Sequence, residues 1–142
     1  MRWIVALVAL LGLLAAVAAL REHYRTEASP CSINEKWDCG MVNHSPYAVL
    51  GNVPVADIGI AGYLLLSLLA LKRAWRTAFF AAIIGLGFSL YLTYIEARVL
   101  QIWCIYCVIS LSMISLITIL TLVMALRSDR APTQAPGTRA TI

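Results

Sequence analysis

Polar and charged positions fall in a few short clusters, and between them the chain is almost continuously apolar. Charge-free runs occupy residues 3–20, 58–71, 77–95 and 99–126. A helix that crosses the hydrocarbon layer needs about 20 predominantly apolar residues, within a range of roughly 17–25. The first, third and fourth runs reach that length as they stand. The second is short between Asp57 and Lys72, but it becomes 18 residues when it starts at Pro54. Asp57 then lies in its first turn and Lys72 snorkels at its far end. None of the runs alternates, which excludes membrane-spanning β-strands. The pattern predicts an all-α integral membrane protein: a bundle of four transmembrane helices at about 3–20, 54–71, 77–95 and 101–126, with an outer loop, 21–53, as its extracytoplasmic cap.

The first run also has features of a signal peptide, with Arg2 ahead of it and small residues around Ala16–Ala19. A signal h-region is about 7–15 residues, and this run is 18, so a retained anchor is expected. Composition agrees with the membrane reading. Hydrophobic residues make up 61% of the 142 and charged residues 13%, against about 25% charge in a soluble domain. The tail, 127–142, is rich in Pro, Thr, Ala and Gly and is expected to be a disordered cytoplasmic segment.

Charge then orients the bundle. Four spans leave both termini on one side, which carries Arg2, Lys72, Arg73, Arg76, Arg127, Arg130 and Arg139 against Asp129. The other side carries Arg21, Arg25, Lys36 and Arg98 against Glu22, Glu27, Glu35, Asp38, Asp57 and Glu96. The Lys/Arg-rich side is cytoplasmic by the positive-inside rule. Both termini are therefore expected in the cytoplasm, with the protein multi-pass in an inner, cytoplasmic membrane. The net charge of +4 follows this topology and is not clustered with aromatics, so no nucleic-acid partner is expected. Trp3 and Trp75 fall near the inner interface, and Tyr91, Tyr94 and Trp103 near the outer one, where aromatic belts form.

Topology gives the four cysteines their interest. Cys31 and Cys39 lie in the outer loop, and Cys104 and Cys107 open the fourth span from its outer end. All four share the oxidising, periplasmic side, where disulfides persist. At i and i+3, Cys104 and Cys107 share one helix face, and Cys104 sits near a helix N-terminus, which favours a thiolate. Cys107, one turn deeper among Ile105, Val108 and Ile109, is suited to a small apolar acceptor dissolved in lipid. The loop pair, with seven residues between its members, can meet either the helix pair or a soluble thiol protein. Exchange through mixed disulfides then makes a relay. Two other readings compete. A four-thiolate zinc site uses two such pairs, but the loop gap is loose for zinc and an oxidising exterior disfavours free thiolates, so no metal is expected. A non-enzymatic membrane subunit held by structural disulfides is the other; against it, an i,i+3 disulfide within a helix is a poor staple.

Taken together, several motifs resemble the vitamin K epoxide reductase family in its bacterial form. They are the loop cysteines Cys31 and Cys39, the segment Val42-Asn43-His44-Ser45-Pro46-Tyr47-Ala48-Val49-Leu50-Gly51-Asn52-Val53-Pro54, Gly59 and Tyr63 in the second span, and Cys104-Ile105-Tyr106-Cys107. The resemblance covers roughly residues 3–126. A second bacterial four-helix, quinone-linked disulfide oxidase family carries its Cys-x-x-Cys in the first outer loop, the reverse of the order here. The resemblance implies a quinone-linked thiol oxidoreductase that supports disulfide formation, with menaquinone or ubiquinone as electron acceptor. It implies that Cys107 contacts the quinone, that Cys104 is its partner, that Cys39 exchanges with Cys104, and that Cys31 faces the substrate protein. Ser45 matches the family's loop serine near the quinone pocket. Many bacterial members carry a fused thioredoxin-like domain. This chain runs only 35 residues past Cys107, so a separate thioredoxin-fold (DsbA-like) thiol oxidase is the expected partner. At Leu111 the vertebrate enzymes place a tyrosine that contacts the vitamin, so quinone reduction rather than epoxide reduction is expected.

Other residues are assigned more modest roles. Asp57 is read as a helix N-cap candidate ahead of proton delivery to quinone. Tyr63, Phe88 and Leu111 are candidates for the quinone pocket, with bundle core as the alternative. Glu96 and Arg98 are read as interfacial anchors, and His23 and His44 as solvated loop residues. Gly59, Gly62, Gly85 and Gly87 are expected at close helix contacts.

Overall fold

A computed structural model of the chain describes residues 1–130. Four long helices dominate it: α1, Arg2–Tyr24; α3, Val55–Leu71; α4, Trp75–Ile95; and α5, Ile105–Arg130. The loop after α1 holds a short helix, α2, Cys39–His44, and a two-residue-per-strand hairpin, β1 Val49–Leu50 against β2 Val53–Pro54. Three helices, α1, α5 and α4 with its continuation to Leu100, are long and apolar enough to cross a membrane; α3, at 17 residues, is a shorter apolar helix. Each of the four falls on one of the expected apolar runs.

The local reasons are readable. Gly51 has φ +66°, which suits the first central position of the hairpin turn. Pro54 precedes α3, where its missing N–H costs nothing. The α3–α4 turn is closed by Arg73 at φ 58°, whose N–H donates to the Ala70 carbonyl at 3.1 Å while Ala74 N–H reaches Leu69 at 3.0 Å, a left-handed helix stop. At its C-terminal end α4 widens into one π-helical turn, Glu96–Leu100, stopped by Gln101 at φ 55°.

The helices pack in the cyclic order α1, α3, α4, α5. Their shared core contains Val5, Ala9, Tyr63, Leu66, Ala82, Ile114 and Ile117. The opposite faces expose Trp3, Leu7, Leu14, Leu68, Phe80 and Ile84. A soluble monomer rarely carries so continuous an apolar exterior; this is the surface of a membrane protein, solvated by lipid.

Several expectations change here. The helix α5 runs on to Arg130, so Arg127–Arg130 are helical, while the rest of the expected disordered tail, 131–142, lies outside the described residues. Trp75, expected in the inner aromatic belt, is buried in the core at 8% exposure. The tightest glycine contact is Gly12 of α1, where a Cβ would run into the Tyr63 ring. A Cβ added at Gly59 or Gly85 would meet Ala16 or Ile114 at ordinary or slightly close range, but one at Gly62 or Gly87 would meet open space. Arg76 and Asp129 pair at 3.0 Å, so the start of α4 and the end of α5 share one end of the molecule.

Candidate functional site

All four cysteines gather at the other end, in a cluster of buried Cys31, Cys39, Val42 and Cys104 with Cys107, Leu100, Ile102 and Tyr106 packed on it. Backbone pairing brings them together. The loop segment around Trp37 lies alongside Trp103: Asp38 N–H donates to the Trp103 carbonyl at 3.1 Å and Trp103 N–H to the Lys36 carbonyl at 2.7 Å. The two indoles lie beside each other, centroids 6.3 Å apart. Cys39 and Cys104 follow immediately after this bridged segment, so their proximity is a matter of register.

Helix α2 then fixes Cys39. Asp38 caps it, accepting the Met41 N–H at 3.1 Å and the Ser32 hydroxyl at 2.8 Å. Partial burial pushes the Asp38 carboxyl up, but the Met41 N–H, the Ser32 hydroxyl, the Gly40 N–H and nearby His44 together hold it below the usual carboxylate value. At the other end of α2, His23 of α1 donates Nδ1–H to the Asn43 carbonyl at 2.6 Å, and its ring stacks on His44. His23 therefore ties the loop to α1 rather than lying free in solvent.

Cys31 and Cys39 form a disulfide with Cα atoms 5.5 Å apart. Cys104 and Cys107 are free thiols packed in the same cluster. The disulfide uses two of the four sulfurs, so the four-thiolate zinc arrangement is not formed in this state. Cys104 sits one residue ahead of α5, where its carbonyl accepts the Val108 N–H at 3.1 Å. Asn43, buried between the pairs, donates its amide to the Cys39 carbonyl at 2.8 Å and toward Cys104 Sγ at 3.6 Å. Glu96, 3% exposed, accepts the Cys104 N–H through Oε2 at 3.2 Å and lines the same cavity as Cys107.

Beyond Cys107 opens a cavity of about 530 Å³, inside the range of roughly 300–1,000 Å³ usual for small-molecule sites. Its walls come from α1, α3, α4, α5 and the loop, and are largely apolar, with Asn43, Ser45, Ser110 and Glu96 as polar points. Cys107 lines it; Cys104, Cys31 and Cys39 do not. An apolar ring with two polar oxygens fits such a lining.

Of the remaining expected pocket residues, Ser45, Tyr63 and Phe88 line the cavity. Ser45 is buried and its hydroxyl donates to the Val42 carbonyl at 2.7 Å, while the Tyr63 hydroxyl donates to the Ser110 carbonyl at 2.8 Å. Asp57 does not line it: Asp57 lies in the first turn of α3, whose N-cap is Pro54, so it is neither cap nor wall. Leu111 faces the helix core rather than the cavity. Asn43 and Glu96 are the site residues that sequence reading missed. Glu96, expected as an interfacial anchor, is turned inward where the helix widens, and Arg98 on the same turn is exposed. The one available signal was an acid eight residues before Cys104 at the end of an apolar run.

No curated protein sequence matches the chain. The sequence profile of the vitamin K epoxide reductase family matches residues 3–122. That match covers most of the chain and includes all four cysteines: the chain belongs to the vitamin K epoxide reductase family.

Proposed function

We propose that the protein is a quinone-linked thiol oxidoreductase in an inner membrane, with four spans, both termini cytoplasmic and the cysteines on the periplasmic side. The observation that carries this reading is the order of the sulfurs: loop disulfide, then Cys104, then Cys107, then the cavity. Family membership supports thiol and quinone chemistry in general, and the lipid-facing exterior supports access for an apolar acceptor.

In the proposed cycle, a thiolate of a separate thioredoxin-fold (DsbA-like) protein attacks Cys31 Sγ and breaks the loop disulfide, releasing Cys39 as a thiolate. The partner's second thiol resolves the mixed disulfide, leaving the partner oxidised and the loop pair reduced. Cys39 then attacks Cys104 in an oxidised Cys104–Cys107 pair, and Cys31 closes on Cys39. The helix pair is now reduced and the loop pair oxidised, which is the redox state of this structure. Finally Cys104 and Cys107 rejoin as a disulfide while two electrons and two protons pass to menaquinone or ubiquinone, giving the quinol. The acceptor supplies the oxidising power; the protein supplies an apolar seat beside Cys107, a fixed separation between pairs, and hydrogen bonds at both ends of the exchange. Leu111, where the vertebrate enzymes have a tyrosine, lies off the cavity, in keeping with quinone reduction in place of epoxide reduction.

The test is direct. Purified protein given a reduced thioredoxin-fold partner and quinone should form quinol, and Cys107→Ala should abolish it while the Cys31–Cys39 disulfide still forms. Quinol formation that survives loss of Cys107 would overturn the relay, and none with the wild-type protein would leave the chain a membrane subunit with structural disulfides.

A further inference from the structure

The cavity wall contains one carboxylate, that of Glu96. It is 3% exposed and takes part in neither of the ion pairs among the described residues, Glu22–Arg25 and Arg76–Asp129. Burying a carboxylate without a cation is costly, and a glutamine would accept the Cys104 N–H as well. Stability alone therefore gives no reason for an acid here. The π-helical turn that carries it adds to the case, since such turns are rare and occur often at functional sites.

Chemistry gives a reason. When Cys104 and Cys107 become a disulfide they lose two electrons and two protons, and a quinone gains the same on becoming quinol. Cys107 lines the cavity among largely apolar walls, so its proton needs a nearby acceptor. The Glu96 carboxylate lines the same cavity as that thiol and accepts the N–H of Cys104, three residues before it, at 3.2 Å. Two anions side by side in an apolar site repel strongly, so the favourable way to make a Cys107 thiolate is to move its proton onto Glu96. We infer that Glu96 is the catalytic proton carrier of the Cys107–acceptor step: its carboxylate takes the thiol proton as the sulfur becomes nucleophilic and gives it up to an acceptor oxygen as the quinol forms. This rests on the quinone-reducing reading above. The other polar groups on the cavity wall are neutral, and none is a carboxylate: Tyr63 is held by Ser110, and Asn43, Ser45, Tyr47 and Tyr106 are amide, hydroxyl and phenol groups; Cys104 presents its N–H to Glu96, and Arg98 on the same turn is exposed.

A proton kept inside the site leaves a signature independent of quinone. In fully reduced protein in detergent, Cys107 is alkylated by a lipophilic maleimide and followed by peptide mass spectrometry across the neutral pH range. The rate should be nearly flat with pH in the wild type, because no proton leaves to water when the thiolate forms. In Glu96→Gln it should rise in proportion to hydroxide. Quinol formation from the pre-reduced variant should fall by about 10²-fold, the scale of a lost general acid–base group, while reduction of the loop disulfide by dithiothreitol stays unchanged. Glu96→Asp should keep the flat profile. A wild-type rate already proportional to hydroxide, or a Glu96→Gln profile and quinol rate equal to wild type, would overturn the inference. Equal loss of loop-disulfide reduction and quinol formation would make Glu96 merely structural and overturn it as well. If Glu96→Gln does not fold, the wild-type and Glu96→Asp profiles decide. A wild-type protein that makes no quinol sinks the proposed function, while the alkylation profile still passes judgement on Glu96.

Discussion

Replacing Gly12 by Ala is the smallest change with a large expected structural effect. The new methyl would occupy space filled by the Tyr63 ring, which is 4% exposed and packed between α1 and α5. Tyr63 cannot simply swing away, because its hydroxyl is hydrogen-bonded to both the carbonyl and the side chain of Ser110 at 2.8 Å. Overpacking of this kind costs about 1–3 kcal/mol. Loss of the tyrosine hydrogen bond adds about 0.5–1.5 kcal/mol. The better helix propensity of Ala returns about 1 kcal/mol. The net expectation is destabilisation by roughly 0.5–3.5 kcal/mol, together with a reshaped cavity, since Tyr63 is one of its walls. Unfolding of the purified protein in detergent, by heat or by titrated sodium dodecyl sulfate, measures it. Tyr63→Ala should absorb the added methyl, so the double variant should be less destabilised than the sum of the singles. A Gly12→Ala protein as stable as wild type, or strict additivity with Tyr63→Ala, would refute this packing.

Three further outcomes are expected. Asn43→Leu removes a buried donor to Cys104 Sγ and the Cys39 carbonyl; a hydrogen bond to a charged group is worth about 1.5–3 kcal/mol, and at 3.6 Å the lower end applies, so disulfide exchange between the pairs should slow by about tenfold. Acid-quenched alkylation and mass mapping would measure this, and an unchanged rate would remove Asn43 from the relay. Asp38 titrates below its ordinary value in the fold, so the stability it lends α2 is present above the unfolded value of about 3.9 and is lost as pH falls through the lower folded value. Amide exchange at Met41 should accelerate there in the wild type but not in Asp38→Asn, and equal acid sensitivity of the two would contradict the assignment. The exposed Arg76–Asp129 pair should matter little: Arg76→Ala is expected to change unfolding stability by less than about 1 kcal/mol, and a larger loss would give that pair a role this geometry does not explain.

Much of the architecture was legible in the pattern of residues, because a membrane helix is written locally as an uninterrupted apolar run. The cysteine pairs were legible for the same reason, since their topology follows from counting spans. What was not legible depends on how distant segments meet. The pairing of Trp37 with Trp103 joins positions far apart in the chain, and neither segment carries a strand pattern to announce it. Asn43 reads as a loop residue until α2 turns it toward Cys104. Glu96 reads as an interface anchor, because nothing local says that the helix widens there and points the carboxylate inward. Gly12 is one small residue among many in α1, and its importance comes from the ring of Tyr63, which lies on another helix. Asp57 and Leu111 show the converse. Their chain positions are right for the site, yet the helix phase carries Leu111 to the core and Pro54 starts α3 ahead of Asp57.

The central claim is that the loop and helix pairs exchange through Cys39 and Cys104. The measurement is disulfide mapping by non-reducing mass spectrometry of a Cys31→Ser, Cys107→Ser double variant after mild oxidation in detergent. Each pair then retains one cysteine, and the account expects them to join as Cys39–Cys104 in nearly all molecules. Two thiols that stay free under the same conditions would contradict the relay.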